Sequence, residues 1–113
     1  MSTQPLRVGV IGAGTVGREV VRAFLEGSTR LTPADGRPLV LAGVAEKFTE
    51  RAIANGIPAE LLTDDATALV ARDDIDLIVE TMGGDEPAHT LIRTALASGR
   101  SVATANKHVV AHY

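Results

Sequence analysis

A glycine pattern directly behind a short apolar run constrains the fold of this chain more than any other feature. Residues 6–11 are rich in β-branched side chains, as is typical of a buried strand, and the run stops at Gly12. Apolar residues then recur at helical spacing, and Gly27 follows as a stop signal. The pattern between these two segments is Gly12-Ala13-Gly14-Thr15-Val16-Gly17, and the apolar helix positions are Val16, Val20, Val21, Phe24 and Leu25. We therefore predict a strand, a tight turn and a helix at the start of the fold.

Strand-like and helix-like segments alternate along the rest of the chain. Such alternation predicts a Rossmann-type, doubly wound α/β sheet with right-handed crossovers, here five parallel strands in the order 3-2-1-4-5. The further strands are expected at 39–45, 61–62, 75–80 and 101–105. The further helices are expected at 49–55, from a cap at Asp64 or Asp65 through Arg72, and along a face of Ala88, Leu91, Ile92, Ala95 and Leu96. A complete dinucleotide fold has six strands, so the sheet looks cut short.

Length and composition limit the class of protein. The 113 residues predict one domain, 1–113, and the 3% aromatic content suits a core of Val, Ile, Leu and Ala. The net charge of −3 without a basic run argues against a nucleic-acid partner. Residues 1–5 lack the features of a signal peptide and no apolar stretch is long enough to span a bilayer, so we expect a cytoplasmic protein. Without Cys, and with only scattered histidines, no metal site is expected: the histidines are His89, His108 and His112.

The glycine pattern predicts a pyrophosphate site. Gly12 would permit the tight turn, Gly14 would let the backbone approach a phosphate, and Gly17 would let the helix pack close to the strand. The N-terminus of the following helix offers unpaired N–H groups and a partial positive charge. The alternative is a flexible turn without a ligand.

The end of the second strand bears on the choice of cofactor. An acid at that position binds the adenosine ribose of NAD, whereas a base pairs with the 2′-phosphate of NADP. This chain has both, Glu46 followed by Lys47, located 29 positions after Gly17 with a Pro- and Gly-containing loop at 28–38 between them. The two charges could also simply be solvated. The sequence thus predicts NAD or NADP and leaves the choice open.

Three separated segments resemble the homoserine dehydrogenase family. They are the glycine loop from Val10 to Gly17, the fourth-strand segment Ile78-Val79-Glu80-Thr81-Met82-Gly83-Gly84, and Val102-Ala103-Thr104-Ala105-Asn106-Lys107. The resemblance implies an NAD(P)-dependent oxidoreductase that interconverts homoserine and aspartate 4-semialdehyde in threonine and methionine biosynthesis. Lys47 departs from the arginine usual in the family, which weakens the assignment of NADP.

The resemblance also implies roles for individual residues. Thr81 and Gly83 would line the nicotinamide side of the cleft together with Thr104 and Ala105. Lys107 would lie between cofactor and substrate as the catalytic residue, where an ammonium could stabilise or protonate the carbonyl oxygen; otherwise it is a surface lysine. Glu80 would either touch the cofactor or cap its strand.

Members of the family continue into a substrate-binding and dimerisation region that makes them roughly three times as long. The second catalytic lysine, the acidic substrate ligands and a monovalent-cation site belong to that region. We therefore expect residues 1–113 to be inactive alone and the parent protein to be a homo-oligomer. Two alternatives stay open: an aspartate dehydrogenase with a similar nucleotide domain, and a stand-alone nucleotide-sensing module.

Overall fold

The computed structural model describes residues 4–26, 38–82 and 86–104. Its five strands pair in parallel in the order β3-β2-β1-β4-β5, which confirms the predicted Rossmann-type α/β fold and its strand order. The strands are β1 (Leu6–Ile11), β2 (Leu39–Ala45), β3 (Leu62–Thr63), β4 (Leu77–Glu80) and β5 (Ser101–Thr104).

Four α-helices and one short 3₁₀ turn, Ala59–Leu61, connect these strands. The helices are α1 (Thr15–Glu26), α2 (Thr49–Ala54), α3 (Ala66–Val70) and α4 (Ala88–Ala97). The third strand begins one residue later than predicted, because the N–H of Leu61 donates to the carbonyl of Pro58 at 3.1 Å and closes the turn. Of the two candidate caps of α3, Asp65 is the one used, since its carboxylate accepts the N–H of Ala68 at 3.0 Å.

The sheet is covered on both faces, as the near-continuous apolar strands require. On one face α1 and α2 bury a cluster that is rich in valine; on the other, α3 and α4 bury a cluster of larger aliphatic residues. The first cluster contains Val8, Val10, Ala13, Val21, Val44, Ala52 and Ile57, and the second contains Ile11, Ala45, Leu69, Val70, Ile75, Ile78, Leu91 and Ala95.

Three residues assigned to the buried faces of the helices are in fact exposed. Val16 and Leu25 are each 51% exposed, and Leu96 is 56% exposed. At about 100° per residue, all three lie some 80–100° from the centre of the packed stripe, and therefore at its margins. On α1 the buried positions are Gly17 and Val21, so the close packing predicted at Gly17 is observed.

An ion-pair network lies at the amino ends of the strands, opposite the glycine loop. Arg72 donates from Nε and Nη2 to the two carboxylate oxygens of Asp74, at 2.9 and 2.6 Å, and Arg7 reaches the same carboxylate at 3.3 Å. The hydrogen bond with Arg72 lowers the pKa of Asp74 and raises that of Arg72. The network joins β1 to the segment that leads into β4. Among the helices of the described ranges, none is long and apolar enough to cross a membrane.

Candidate functional site

The chain turns sharply at Gly12, between β1 and α1. Gly12 has φ +98°, a left-handed conformation that favours glycine. Its N–H donates to the carbonyl of Ala45 at 2.8 Å, which ties the turn to the end of β2. A Cβ at Gly12 would also lie 3.0 Å from the hydroxyl of Thr81. Backbone conformation and space both require glycine here.

The other two glycines of the loop lie in opposite surroundings. A Cβ at Gly17 would lie 2.0 Å from the carbonyl oxygen of Gly12 and 2.6 Å from Thr81 Oγ1, so α1 packs directly on the turn. A Cβ at Gly14 would meet no atom within 4 Å. Gly17 is therefore needed for packing, whereas Gly14 leaves open space in front of the first turn of α1.

Thr81, the first residue after β4, holds the loop from one side. Its hydroxyl donates to the carbonyl of Gly12 at 2.9 Å, and its N–H donates to the carbonyl of Ile11 at 3.0 Å. Thr81 thus binds the backbone of the turn itself. The predicted strand order brings Thr81 near the turn, but the hydrogen bond itself joins residues 69 positions apart and was not predicted.

Glu46, the first residue after β2, holds the loop from the other side. Its Oε2 accepts the N–H of Ala13 at 2.7 Å, and its Oε1 lies 3.5 Å from the N–H of Phe48. Its own N–H donates to the carbonyl of Thr63 at 2.9 Å. Since one carboxylate joins two loops, Glu46 is more than the solvated charge considered as an alternative.

A cleft of about 550 Å³ opens beside the glycine loop at the carboxyl ends of the strands. Its size lies within the range of small-molecule sites, and its place is where doubly wound sheets bind ligands. Its lining combines the glycine loop with the segments after β2, β3 and β4: Gly12, Gly14, Ala45, Glu46, Lys47, Phe48, Asp64, Ala66, Thr81, Met82 and Pro87. The predicted residues Gly12, Gly14, Lys47 and Thr81 are thus brought together.

An aromatic side chain at the rim of this cleft was not predicted from the sequence. Phe48 is 56% exposed, and the guanidinium of Arg51 lies over its ring, 5.3 Å from the ring centroid. Lys47 is exposed next to it. A phenylalanine directly after the charged pair at the end of β2, in a chain with few aromatics, was the available signal. The rim can offer a flat apolar surface and two cations to a ligand.

Glu80 is fully buried at the end of β4. Its Oε1 accepts a hydrogen bond from the hydroxyl of Thr104 at the end of β5, and its Oε2 has no hydrogen-bond partner within the described part of the chain. The carboxylate thus links the ends of two neighbouring strands. The sequence left open whether Glu80 touches the cofactor or caps its strand, and this hydrogen bond at the strand end is compatible with the second role.

Three predicted site residues, Gly83, Ala105 and Lys107, lie outside the described residues. The other three members of the glycine pattern, Ala13, Thr15 and Val16, lie at the turn and at the start of α1. Across residues 4–26, 38–82 and 86–104, no three His, Cys, Asp or Glu side chains form a group that could hold a metal ion.

Known proteins resemble this chain along nearly its whole length. The family model described as the NAD-binding domain of homoserine dehydrogenase matches residues 12–113. Homoserine dehydrogenase of Mycobacterium tuberculosis is 46% identical over 110 residues, covering 96% of this chain and 24% of that protein. That of Corynebacterium glutamicum is 41% identical over 104 residues, covering 92% of this chain and 23% of that protein.

Solved structures agree with these sequence matches. The crystal structure of a homoserine dehydrogenase from Thiobacillus denitrificans superposes with a TM-score of 0.81 and 38% identity, covering 100% of this chain and 26% of that one. The homoserine dehydrogenase of Staphylococcus aureus at pH 7.5 superposes with a TM-score of 0.74 and 31% identity, covering 95% and 27%. The chain therefore spans about a quarter of the length of the relatives that it matches.

Proposed function

The chain belongs to the homoserine dehydrogenase family, as its NAD-binding domain, and we propose that it supplies the cofactor half of an enzyme that interconverts homoserine and aspartate 4-semialdehyde. NAD or NADP is the cofactor of this domain. The family match does not favour an aspartate dehydrogenase or a stand-alone sensor. A homo-oligomeric parent protein and a cytoplasmic location are further proposals, which rest on the family resemblance.

The open space in front of Gly14 is the observation that carries the site assignment. Nothing within 4 Å would meet a Cβ there, although Gly12 and Gly17 are tightly packed on either side. The first N–H groups of α1 have no partner within the helix, as at the N-terminus of any helix. A pyrophosphate in the cleft would accept these groups and the partial positive charge of the helix.

The remaining predicted residues complete the proposed site. Lys47 would face the adenosine ribose or its 2′-phosphate, while Thr81 would follow the turn toward the nicotinamide. Gly83, Thr104 and Ala105 are proposed for the nicotinamide wall from the resemblance alone. When bound, the nicotinamide supplies the hydride chemistry, and the chain binds and orients it.

Isothermal titration calorimetry of Gly14→Val with NADH and NADPH tests the site. The valine side chain would occupy the space proposed for phosphate while the fold stays intact, so we expect affinity for both nucleotides to fall at least about tenfold. Ala97→Val is the matched control, because it adds a valine at an exposed position of α4, away from the cleft. Equal affinities of Gly14→Val and the parent chain would refute the assignment.

Lys107 is our proposed catalytic residue, and its test requires the substrate region of the family. In a chimaera, residues 1–113 replace the matching segment of the Corynebacterium glutamicum relative, and NAD(P)H production from homoserine is measured. We expect turnover by the chimaera and none by residues 1–113 alone, because a substrate must be held about 3–3.5 Å from the nicotinamide. Lys107→Ala in the chimaera should lower kcat about 100-fold or more if the ammonium handles the proton. An unchanged kcat would make Lys107 a surface lysine.

A further inference from the structure

The backbone at Glu46 is held in place from two sides, by the ends of the two strands that neighbour β2. Its N–H donates to the carbonyl of Thr63, at the end of β3, at 2.9 Å. The preceding carbonyl, that of Ala45, accepts the N–H of Gly12 at 2.8 Å. Backbone hydrogen bonds on both sides of β2 therefore fix the point from which the carboxylate reaches the glycine loop.

The hydrogen bond from Ala13 to Glu46 is short and charge-assisted. The N–H of Ala13 donates to Oε2 at 2.7 Å, at the short end of the range for a backbone donor and an ionised acceptor. Ala13 is only 7% exposed, so water has little access to this N–H if the carboxylate is removed. A buried donor left without a partner is costly, and the loop would have to move to satisfy it.

Two side chains thus clamp the loop at the two polar groups of a single peptide. Thr81 donates to the carbonyl of Gly12 from the β4 side, and Glu46 accepts the N–H of Ala13 from the β2 side. These two groups belong to one peptide unit, so its plane is fixed at both ends. That peptide directly precedes Gly14, where the loop opens to the cleft.

We propose that Glu46 is a positioning residue, which fixes the peptide between Gly12 and Ala13 and so holds the loop in the shape that leaves the space at Gly14 open for phosphate, and that its carboxylate is not the ribose ligand that distinguishes NAD from NADP. The inference rests on the proposed function of the cleft as the nucleotide site. If so, the binding affinities for NADH and for NADPH depend on Glu46 to the same degree. The residue at the end of β2 that distinguishes NADP from NAD is then the exposed neighbour of Glu46, Lys47, which lines the cleft.

A positioning role and a ribose-binding role of Glu46 predict different changes in nucleotide affinity for a matched pair of variants. Glu46→Gln keeps an oxygen that can accept the N–H of Ala13, whereas Glu46→Ala removes it. A positioning role predicts that Glu46→Ala lowers the affinities for NADH and NADPH alike, by about tenfold or more. In Glu46→Gln both affinities should then stay within about threefold of those of the parent. A ribose ligand predicts instead that both variants weaken NADH selectively and that NADPH is unaffected or binds more tightly, because a negative charge has gone.

The test combines titration calorimetry on the 113-residue chain with hydrogen exchange of the Ala13 amide. We expect parallel losses in Glu46→Ala, rescue in Glu46→Gln, and fast exchange of the Ala13 amide in Glu46→Ala alone. Selective loss of NADH in both variants, or slow exchange of the Ala13 amide in Glu46→Ala, would overturn the proposal. If Glu46→Ala does not fold, Glu46→Gln decides, since selective loss of NADH there refutes the positioning role and retention of both nucleotides supports it.

If the proposed function itself is wrong, the titrations give a different result. A parent chain that binds neither nucleotide would refute the assignment of the cleft. Protection of the Ala13 amide in the parent and its loss in Glu46→Ala would then still show the clamp, but the link to nucleotide binding would be refuted together with the site.

Discussion

Replacing Gly17 by alanine should destabilise the fold strongly, because the added methyl group would meet the backbone of the turn. The added Cβ would lie 2.0 Å from the carbonyl oxygen of Gly12, which is 1.0 Å inside the 3.0 Å that real Cβ contacts keep, and 2.6 Å from Thr81 Oγ1. The obstructing atom belongs to the backbone, and two hydrogen bonds hold the turn around it. Overpacking usually costs about 1–3 kcal/mol, and a rigid obstacle places this case at the upper end, about 3 kcal/mol.

Urea denaturation followed by circular dichroism measures this cost. With a slope of about 1–3 kcal/mol/M, a loss of about 3 kcal/mol lowers the midpoint by about 1 M or more. It should also lower the melting temperature by roughly 10 °C or more. Gly14→Ala is the matched control, because its Cβ meets nothing within 4 Å, and its stability should stay within about 0.5 kcal/mol of the parent. If Gly17→Ala also stays within that margin, α1 does not pack on the turn as described.

Three further predictions follow from other contacts. Lys47→Ala should lower NADPH affinity several-fold and leave NADH affinity unchanged in calorimetry, since an exposed charge pair is worth only about 1 kcal/mol; parallel losses would mean that Lys47 acts through the fold. Thr81→Val should cost about 1–3 kcal/mol in urea denaturation, because the carbonyl of Gly12 loses its donor; Thr81→Ser keeps the hydroxyl and should retain stability. Because its folded pKa is lowered from 3.8, Asp74 contributes stability above that pH that is lost as the pH falls through the folded value. Asp74→Asn should therefore reduce the loss of melting temperature between pH 5 and pH 2.5; an identical loss in both proteins would exclude a role for this group.

Much of the fold was predictable because local signals agreed with one another. The strand from Leu39 to Ala45 was predicted with its observed bounds, since an apolar run of seven residues between a Pro-containing loop and a charged pair has the length of a strand. The third strand was displaced by one residue, because two residues carry too little pattern to fix a boundary. The exposed Val16 and Leu25 show a different limit: the apolar stripe of α1 looked wide enough for both, but the sheet covers only its centre.

The candidate site was predictable in position but not in its internal contacts. A glycine pattern between strand and helix locates the turn, and a charged pair after the second strand locates the rim. The contacts from Glu46 to Ala13 and from Thr81 to Gly12 join residues 33 and 69 positions apart, so they exist only once three strands lie side by side. Phe48, with Arg51 over its ring, is different: it directly follows the charged pair at this rim, so a signal for it was present in the sequence.

The sequence predicted a different role for each glycine of the pattern, and the structure supplies the physical reason for the turn and for the packing. Gly12, Gly14 and Gly17 are chemically identical, so only their order between strand and helix assigned them to a turn, a close ligand and close packing. The structure separates them by what surrounds each absent side chain: a left-handed backbone at Gly12, empty space at Gly14, and a carbonyl at 2.0 Å at Gly17. We therefore expect stability and the proposed nucleotide binding to depend on different glycines of the same loop. Substitution at Gly17 acts on the fold first, and substitution at Gly14 acts on the ligand first, so the two measurements together distinguish a binding loop from a turn that only serves packing.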